Sequence, residues 1–182
     1  MVQNQALPVA DIALPFVSVH LWQKDRPRIL IIACSDGRYQ QSLDDFLNHH
    51  LGITHYDRLY APGGPGALAP STFSYFRGEQ FRQESAFLID AHSLEEIVFI
   101  FHGPVDHEGP NEATCADYRR KMHSAHTSEI YRQQEVDLQE AVKAVIKANK
   151  DLRMRAFRAE VRADMHVQFV PMRIDPIEGS VG

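Results

Sequence analysis

Two places in the chain gather side chains that can do chemistry. The first is Ala33-Cys34-Ser35-Asp36-Gly37-Arg38, in which a thiol, a carboxylate and a guanidinium alternate with small residues. The second is His102, which follows the apolar run 97–101. A thiol and an imidazole brought together make good zinc ligands. Taken singly, each residue has an ordinary use. Cys34 can be a buried small hydrophobe, Asp36 can cap a following helix, and Arg38 can pair with Asp44 or Asp45. These uses account for the residues but not for their spacing. A cysteine phosphatase is excluded, because three residues separate Cys34 from Arg38 and wrapping a phosphate takes five.

The elements that must position these groups can be read from the apolar pattern. Residues 29–33 (Ile-Leu-Ile-Ile-Ala) and 97–101 (Ile-Val-Phe-Ile-Phe) are short and continuously apolar, as expected of strands buried on both faces. Ligands of open α/β sheets bind outside the carboxyl ends of strands, so Cys34 and His102 are expected at one edge of the sheet. A helix is predicted over 40–51, with Leu43, Phe46, Leu47 and Leu51 on one face and Gly52 as its stop. A second strand at 57–61 leads into Pro62-Gly63-Gly64-Pro65-Gly66. Having no Lys, this segment reads as a tight turn that lets backbone approach the site rather than as a phosphate cradle. A helix follows over 71–92, anchored by Phe73, Phe76, Phe87 and Leu88. Then come a loop over 104–111, a helix over 128–149 and weaker strands near 152–161 and 166–170. The alternation predicts an α/β fold with a mostly parallel central sheet flanked by helices. Residues 1–27, with Pro8, Pro15 and Pro27, read as an N-terminal arm, and 28–182 as a single α/β metal-binding domain. Arg153, Arg155, Arg158 and Arg162 are expected on the solvated side of an edge strand.

Bulk properties narrow the function classes. A chain of 182 residues is the size of one domain. Its net charge of −5 leaves no excess of Lys and Arg for a nucleic-acid surface. No apolar run approaches the roughly 20 residues of a membrane span, and residues 1–9 do not resemble a signal peptide. Two cysteines, Cys34 and Cys115, make no disulfide framework. In a reducing cytoplasm, the expected location, such cysteines serve as metal ligands, nucleophiles or filler.

The Cys-x-Asp-x-Arg stretch at 34–38 resembles the signature of the beta-class carbonic anhydrases. By chance it would occur in roughly one chain in a hundred of this length. The resemblance implies zinc held by Cys34 and His102. It also implies a catalytic dyad in which Arg38 orients Asp36, Asp36 accepts a hydrogen bond from zinc-bound hydroxide, and Asp36 can alternatively swing onto zinc. In that family a Cys stands three residues after the His, but here the position holds Val105. Cys115-Ala116-Asp117-Tyr118-Arg119-Arg120 looks like the Cys-Gly-x-Tyr-Arg-Arg stretch of shorter, divergent members. That makes Cys115 the favoured third ligand, displaced by an insertion at 103–114, with His107 as the alternative and Asp106 behind it. The other histidines offer no clear ligand pair, and any near the pocket is a candidate proton shuttle. The activity implied is a lyase reaction, zinc-dependent hydration of carbon dioxide to bicarbonate. The alternatives are hydrolysis of carbon disulfide or carbonyl sulfide, and a non-catalytic relative that keeps the fold. The resemblance further implies a homodimer or a multiple of one, paired through sheet edges and the arm carrying Phe16, Val17, Leu21 and Trp22.

Overall fold

The apolar runs form the middle of a five-stranded sheet with strand order β2-β1-β3-β4-β5. The structure is a computed structural model that describes residues 15–72 and 74–176. The readings of Pro8, of the segment 1–9 and of Phe73 lie outside the described residues. β1 (Ile29–Cys34) pairs in parallel with β2 (Asp57–Ala61) and with β3 (Glu96–Pro104). β4 (Arg153–Val161) is parallel to β3, and β5 (Val167–Pro171) returns antiparallel along β4. β1 is fully buried from Leu30 to Ala33, and all of β3 is buried, as strands covered on both faces must be. From β1 the chain steps to β2 on one side, and from β3 it steps to β4 on the other. The direction of winding therefore reverses between β1 and β3, which opens a crevice at their carboxyl ends.

Helices cover both faces. α1 (Gln40–Asp45) is entered through a 3-10 turn at Gly37–Tyr39 and extended by a π turn at Phe46–His50. Leu43, Phe46 and Leu47 are buried, and Gly52 ends the segment in the left-handed region at φ +68°. Phe46 stacks on Phe169 of β5 at 4.1 Å and meets Phe157 of β4 edge-on at 4.9 Å. Side chains alternate along a strand, so Arg158 points to the opposite face. There its guanidinium lies 3.6 Å from the Tyr131 ring on α4 (Thr127–Ile146). α2 (Tyr75–Ala91) shares that face with α4, and Ser71, just before α2, donates to Asp137 of α4 at 2.6 Å.

Two expectations need correction. Phe76 and Phe87 do not anchor α2; they are 84% and 62% exposed, and the buried stripe is Gly78, Phe81, Ser85 and Ile89. That stripe follows helical spacing, but small residues fill half of it because α2 lies close to its neighbours. Nor is β4 an edge strand, since β5 covers it. Of its arginines, Arg155 pairs with buried Glu96, joined by Arg153 at 3.4 Å, and Arg158 pairs with Glu160 at 2.9 Å. Arg155 and Arg158 therefore make neutralised contacts within the sheet, whereas the side chains of Arg153 and of Arg162, which pairs with Asp164 at 3.1 Å just beyond β4, are largely solvated as expected. The segment after His102 also holds a helix that the apolar pattern did not reveal, α3 (Ala116–Lys121).

Candidate metal centre

Cys34 is the last residue of β1 and stands opposite Ala61, the last residue of β2. The turn after β2 closes over it. Gly63 and Gly64 adopt φ of +84° and +57°, where a side chain would be strained. A Cβ on Gly64 would stand 2.7 Å from the Cys34 nitrogen and 3.0 Å from the Ile100 oxygen. Only bare backbone can pack across the ends of β1 and β3, so the turn approaches the site as the glycines suggest. The N–H groups of Asp36 and Gly63 are directed at the Cys34 sulfur.

His102 lies inside β3, not after it, but its strand has only one neighbour at that point. The β1–β3 ladder ends at Ala33 opposite Ile100, while the β3–β4 ladder continues through His102 opposite Ala159 to Pro104 opposite Val161. No β1 backbone is therefore paired beside His102, which leaves room around its imidazole. Tyr39 stacks on it at 5.0 Å with 22° between the ring planes, and the Tyr39 hydroxyl donates to the Cys34 carbonyl at 2.9 Å. Gln134 of α4 donates to the His102 carbonyl at 3.1 Å. These two partners were not foreseen. Tyr39, the residue after Arg38, carried a signal as an aromatic at the start of the predicted helix, whereas Gln134 carried none.

Cys115 caps the N-terminus of α3 and is 2% exposed. Its sulfur is 3.9 Å from that of Cys34, and the ligand atoms of Cys34, His102 and Cys115 all lie within 4.8 Å of one another. Two sulfurs bound to tetrahedral zinc at ~2.3 Å stand about 3.8 Å apart, so the spacing fits that metal. The two sulfurs are within hydrogen-bond distance of each other. The hydrogen bond from Cys34 draws the Cys115 thiol well below the usual range, against its burial and with help from His102, and the same bond with burial pushes Cys34 up. His102 Nε2 is buried without a hydrogen-bond partner. A buried polar atom left this way is costly, and a metal ion among these three residues would satisfy it. His107 is placed elsewhere. Its side chain is 84% exposed and sits 3.5 Å from Asp106, and neither residue joins the cluster.

Beside the cluster, Arg38 grips Asp36. Nε donates to Oδ1 at 2.9 Å and to Oδ2 at 3.1 Å, and Nη2 donates to Oδ2 at 2.5 Å. Asp36 also accepts from its own turn, from Arg38 N at 3.1 Å, so capping and pairing coexist. The Arg38 hydrogen bonds hold the Asp36 carboxyl down at about 2, so it is a carboxylate at neutral pH. The far side of the guanidinium donates to the Glu112 carbonyl at 2.9 Å, which ties the dyad to the loop leading to Cys115. Asp44, the partner considered for Arg38, instead accepts from Tyr56 at 2.9 Å. Asp36 Oδ2 stands 4.0 Å from His102 Nε2. The dyad and His102 open onto a cavity of about 300 Å³ whose apolar walls include Tyr39, Pro110, Ala113, Val161 and Val167.

No protein-family model matches the chain, and neither does any curated protein sequence. Among solved structures, the chain is similar to a beta-carbonic anhydrase of Trichomonas vaginalis. The identity is 13%, with 85% of this chain and 88% of that one covered at a TM-score of 0.45. It is likewise similar to a carbonic anhydrase of Glaciozyma antarctica, at 14% identity with coverage of 93% and 98% and a TM-score of 0.46. A carbon disulfide hydrolase in its apo form aligns at 14% identity, with coverage of 87% and 88% and a TM-score of 0.42.

Proposed function

We propose that the protein is a zinc-dependent lyase that hydrates carbon dioxide to bicarbonate. The observation that carries this reading is the Cys34–His102–Cys115 cluster with the Asp36–Arg38 dyad beside it, at the mouth of an apolar cavity. Zinc held by these three residues would supply Lewis-acid activation of water, bringing its deprotonation near neutral pH. The other roles belong to the chain. Asp36, kept ionised and oriented by Arg38, accepts a hydrogen bond from the attacking water and fixes the lone pair that faces the substrate. Tyr39 and Gln134 lock the plane and the backbone of His102. The apolar walls suit an uncharged linear substrate with little need for hydrogen bonds, and they keep bulk water from competing. The departing bicarbonate is an anion, and the anionic Asp36 disfavours its retention. Carbon disulfide and carbonyl sulfide share that linear apolar shape and form the runner-up substrate class.

The test is metal analysis of protein purified without added zinc, followed by stopped-flow hydration of carbon dioxide. One zinc per chain with hydration well above background supports the reading. Full zinc with hydration at background and turnover of carbon disulfide would move it to the runner-up. A folded protein that takes up no zinc at all would leave the non-catalytic relative as the better description.

A homodimer in the cytoplasm is part of the proposal. Phe16, Val17, Val19, Leu21 and Trp22 are 84–89% exposed on their own chain, so these five apolar side chains gain nothing from the domain that carries them. No helix among the described residues is long and apolar enough to cross a membrane. Light scattering at micromolar concentration should give twice the monomer mass or a multiple of it; the monomer mass would remove the dimer from the proposal.

A further inference from the structure

The third candidate ligand, Cys115, stands at the start of α3, a helix of 6 residues. A helix this short has little stability of its own, so something else must hold Cys115 in place. Two buried carboxylates do so. Asp137, in the middle of α4 and 1% exposed, accepts from the Tyr118 hydroxyl of α3 at 2.6 Å on Oδ2. On Oδ1 it accepts from Ser71 at 2.6 Å and from Gln133 at 2.8 Å. Asp117 of α3 accepts from Arg77 of α2 at 2.9 Å. Lys121, its side chain 8% exposed, lies between the two carboxylates, 3.3 Å from Asp117 and 3.9 Å from Asp137. Two anions and two cations cancel, as a buried charge cluster requires.

This cluster also reaches the other half of the centre. A Cβ on Gly63 would stand 2.7 Å from Asp117 Oδ2, and the N–H of the same Gly63 is directed at the Cys34 sulfur. A side chain on Gly66 would strike the Tyr118 hydroxyl. The glycine turn is thus wedged between Cys34 and the residues that fix Cys115.

We infer that Asp137 is a positioning residue for the metal centre: through Tyr118 and Lys121 it holds α3 so that the Cys115 sulfur stands at bonding distance from a metal shared with Cys34 and His102. The inference rests on the zinc reading above. Both oxygens of Asp137 accept, and asparagine has only one acceptor oxygen, so Asp137→Asn sets an amide N–H against a donor and leaves Lys121 with one carboxylate. Partners of this outer kind typically carry about 10- to 100-fold in metal affinity.

The test uses the full chain, with zinc affinity measured by chelator competition and Cys115 ligation followed by the thiolate-to-cobalt charge-transfer band after cobalt loading. Asp137→Asn should weaken zinc binding at least about 10-fold and lower the band from its two-thiolate towards its one-thiolate intensity. Tyr118→Phe, which keeps the ring and removes one hydrogen bond, should move both readings the same way by less, and it decides the matter if Asp137→Asn does not fold. Glu96→Gln is the control. It breaks a comparable buried ion pair with Arg155 and Arg153 far from α3, and should lower the melting temperature while leaving zinc affinity and the band unchanged. Wild-type affinity and spectrum in a folded Asp137→Asn would overturn the assignment. So would equal weakening in Glu96→Gln, which would reduce the effect to general destabilisation. If the wild type binds neither metal, the zinc reading fails first and the positioning role falls with it.

Discussion

The two halves of the candidate metal centre are built by opposite means. Cys34 and His102 stand at the ends of buried parallel strands, and backbone fixes them: the β1–β2 and β3–β4 ladders, and a glycine turn packed against Cys34 N. Cys115 arrives after a loop and a 3-10 turn at Asn111–Ala113, on a helix held by side chains from α2 and α4. Backbone positioning depends on strand order and tolerates changes in the side chains around it. Side-chain positioning permits the length of the 103–114 segment to change, provided the clamp beyond it is kept. Val105 offers no metal-binding atom, and the sulfur that joins Cys34 and His102 comes from Cys115, further along the chain.

The largest expected effect comes from removing a donor from either half. Cys34→Ser and Cys115→Ser should each lower zinc affinity by more than about 100-fold, beyond what an outer partner carries, and reduce hydration to background. Isothermal titration with zinc and the stopped-flow assay would read both. Near-stoichiometric zinc in purified Cys115→Ser would break the comparison, because the centre would then belong to the strand ends alone.

Next in size is the dyad. Asp36→Ala and Arg38→Ala should leave the zinc content and the fold intact while lowering the hydration rate by roughly 100- to 10,000-fold, the range of positioned acid–base and orienting groups. Circular dichroism and metal analysis separate this from unfolding. Full activity in Asp36→Ala would remove the dyad from the mechanism.

The backbone half can be probed at its glycines. Gly64→Ala puts a Cβ 2.7 Å from Cys34 N at a φ of +57°, and neither neighbour is a flexible side-chain end that can give way. A loss of about 2–4 kcal/mol in unfolding free energy is expected, from the left-handed strain plus the forced backbone shift. At Gly37 an added Cβ meets nothing within 4 Å, so Gly37→Ala should stay within about 0.5 kcal/mol of wild type. Equal denaturant midpoints for the two variants would show that the turn is not pressed against β1 as described.

How much of this was legible in sequence follows the same division. The strands carrying Cys34 and His102 announced themselves as continuous apolar runs, and the crowded Gly63-Gly64 turn as a place where backbone must approach. The position of β4 was not legible. Arg155 looked solvated because the partner that neutralises it, Glu96, comes from a strand whose adjacency only the folded sheet reveals. In α2 the large aromatics drew the eye, although the packed face uses Gly78 and Ser85. The clamp on α3 was hidden for the same reason: nothing in the sequence shows that Arg77 and Tyr118 are brought beside Asp117 and Asp137.

The smallest expected effect belongs to His107, and it separates the two accounts of the third ligand. In sequence, His107 is the nearer histidine to His102 and carries a good zinc donor. In the structure its ring is 84% exposed, its neighbour is Asp106 at 3.5 Å, and its backbone sits in the left-handed region at φ +65°. An exposed pair of this kind contributes about 0–1 kcal/mol, and alanine at the same φ is no better accommodated than histidine. His107→Ala should therefore keep one zinc per chain, change the hydration rate by less than about twofold, and shift stability by about 0.5 kcal/mol or less. Because His107 lies on the same segment that delivers Cys115, a null result would show that the segment acts through its buried end and not its exposed tip. Loss of zinc in His107→Ala together with retention in Cys115→Ser would reverse the assignment and make the loop, not α3, the source of the third ligand.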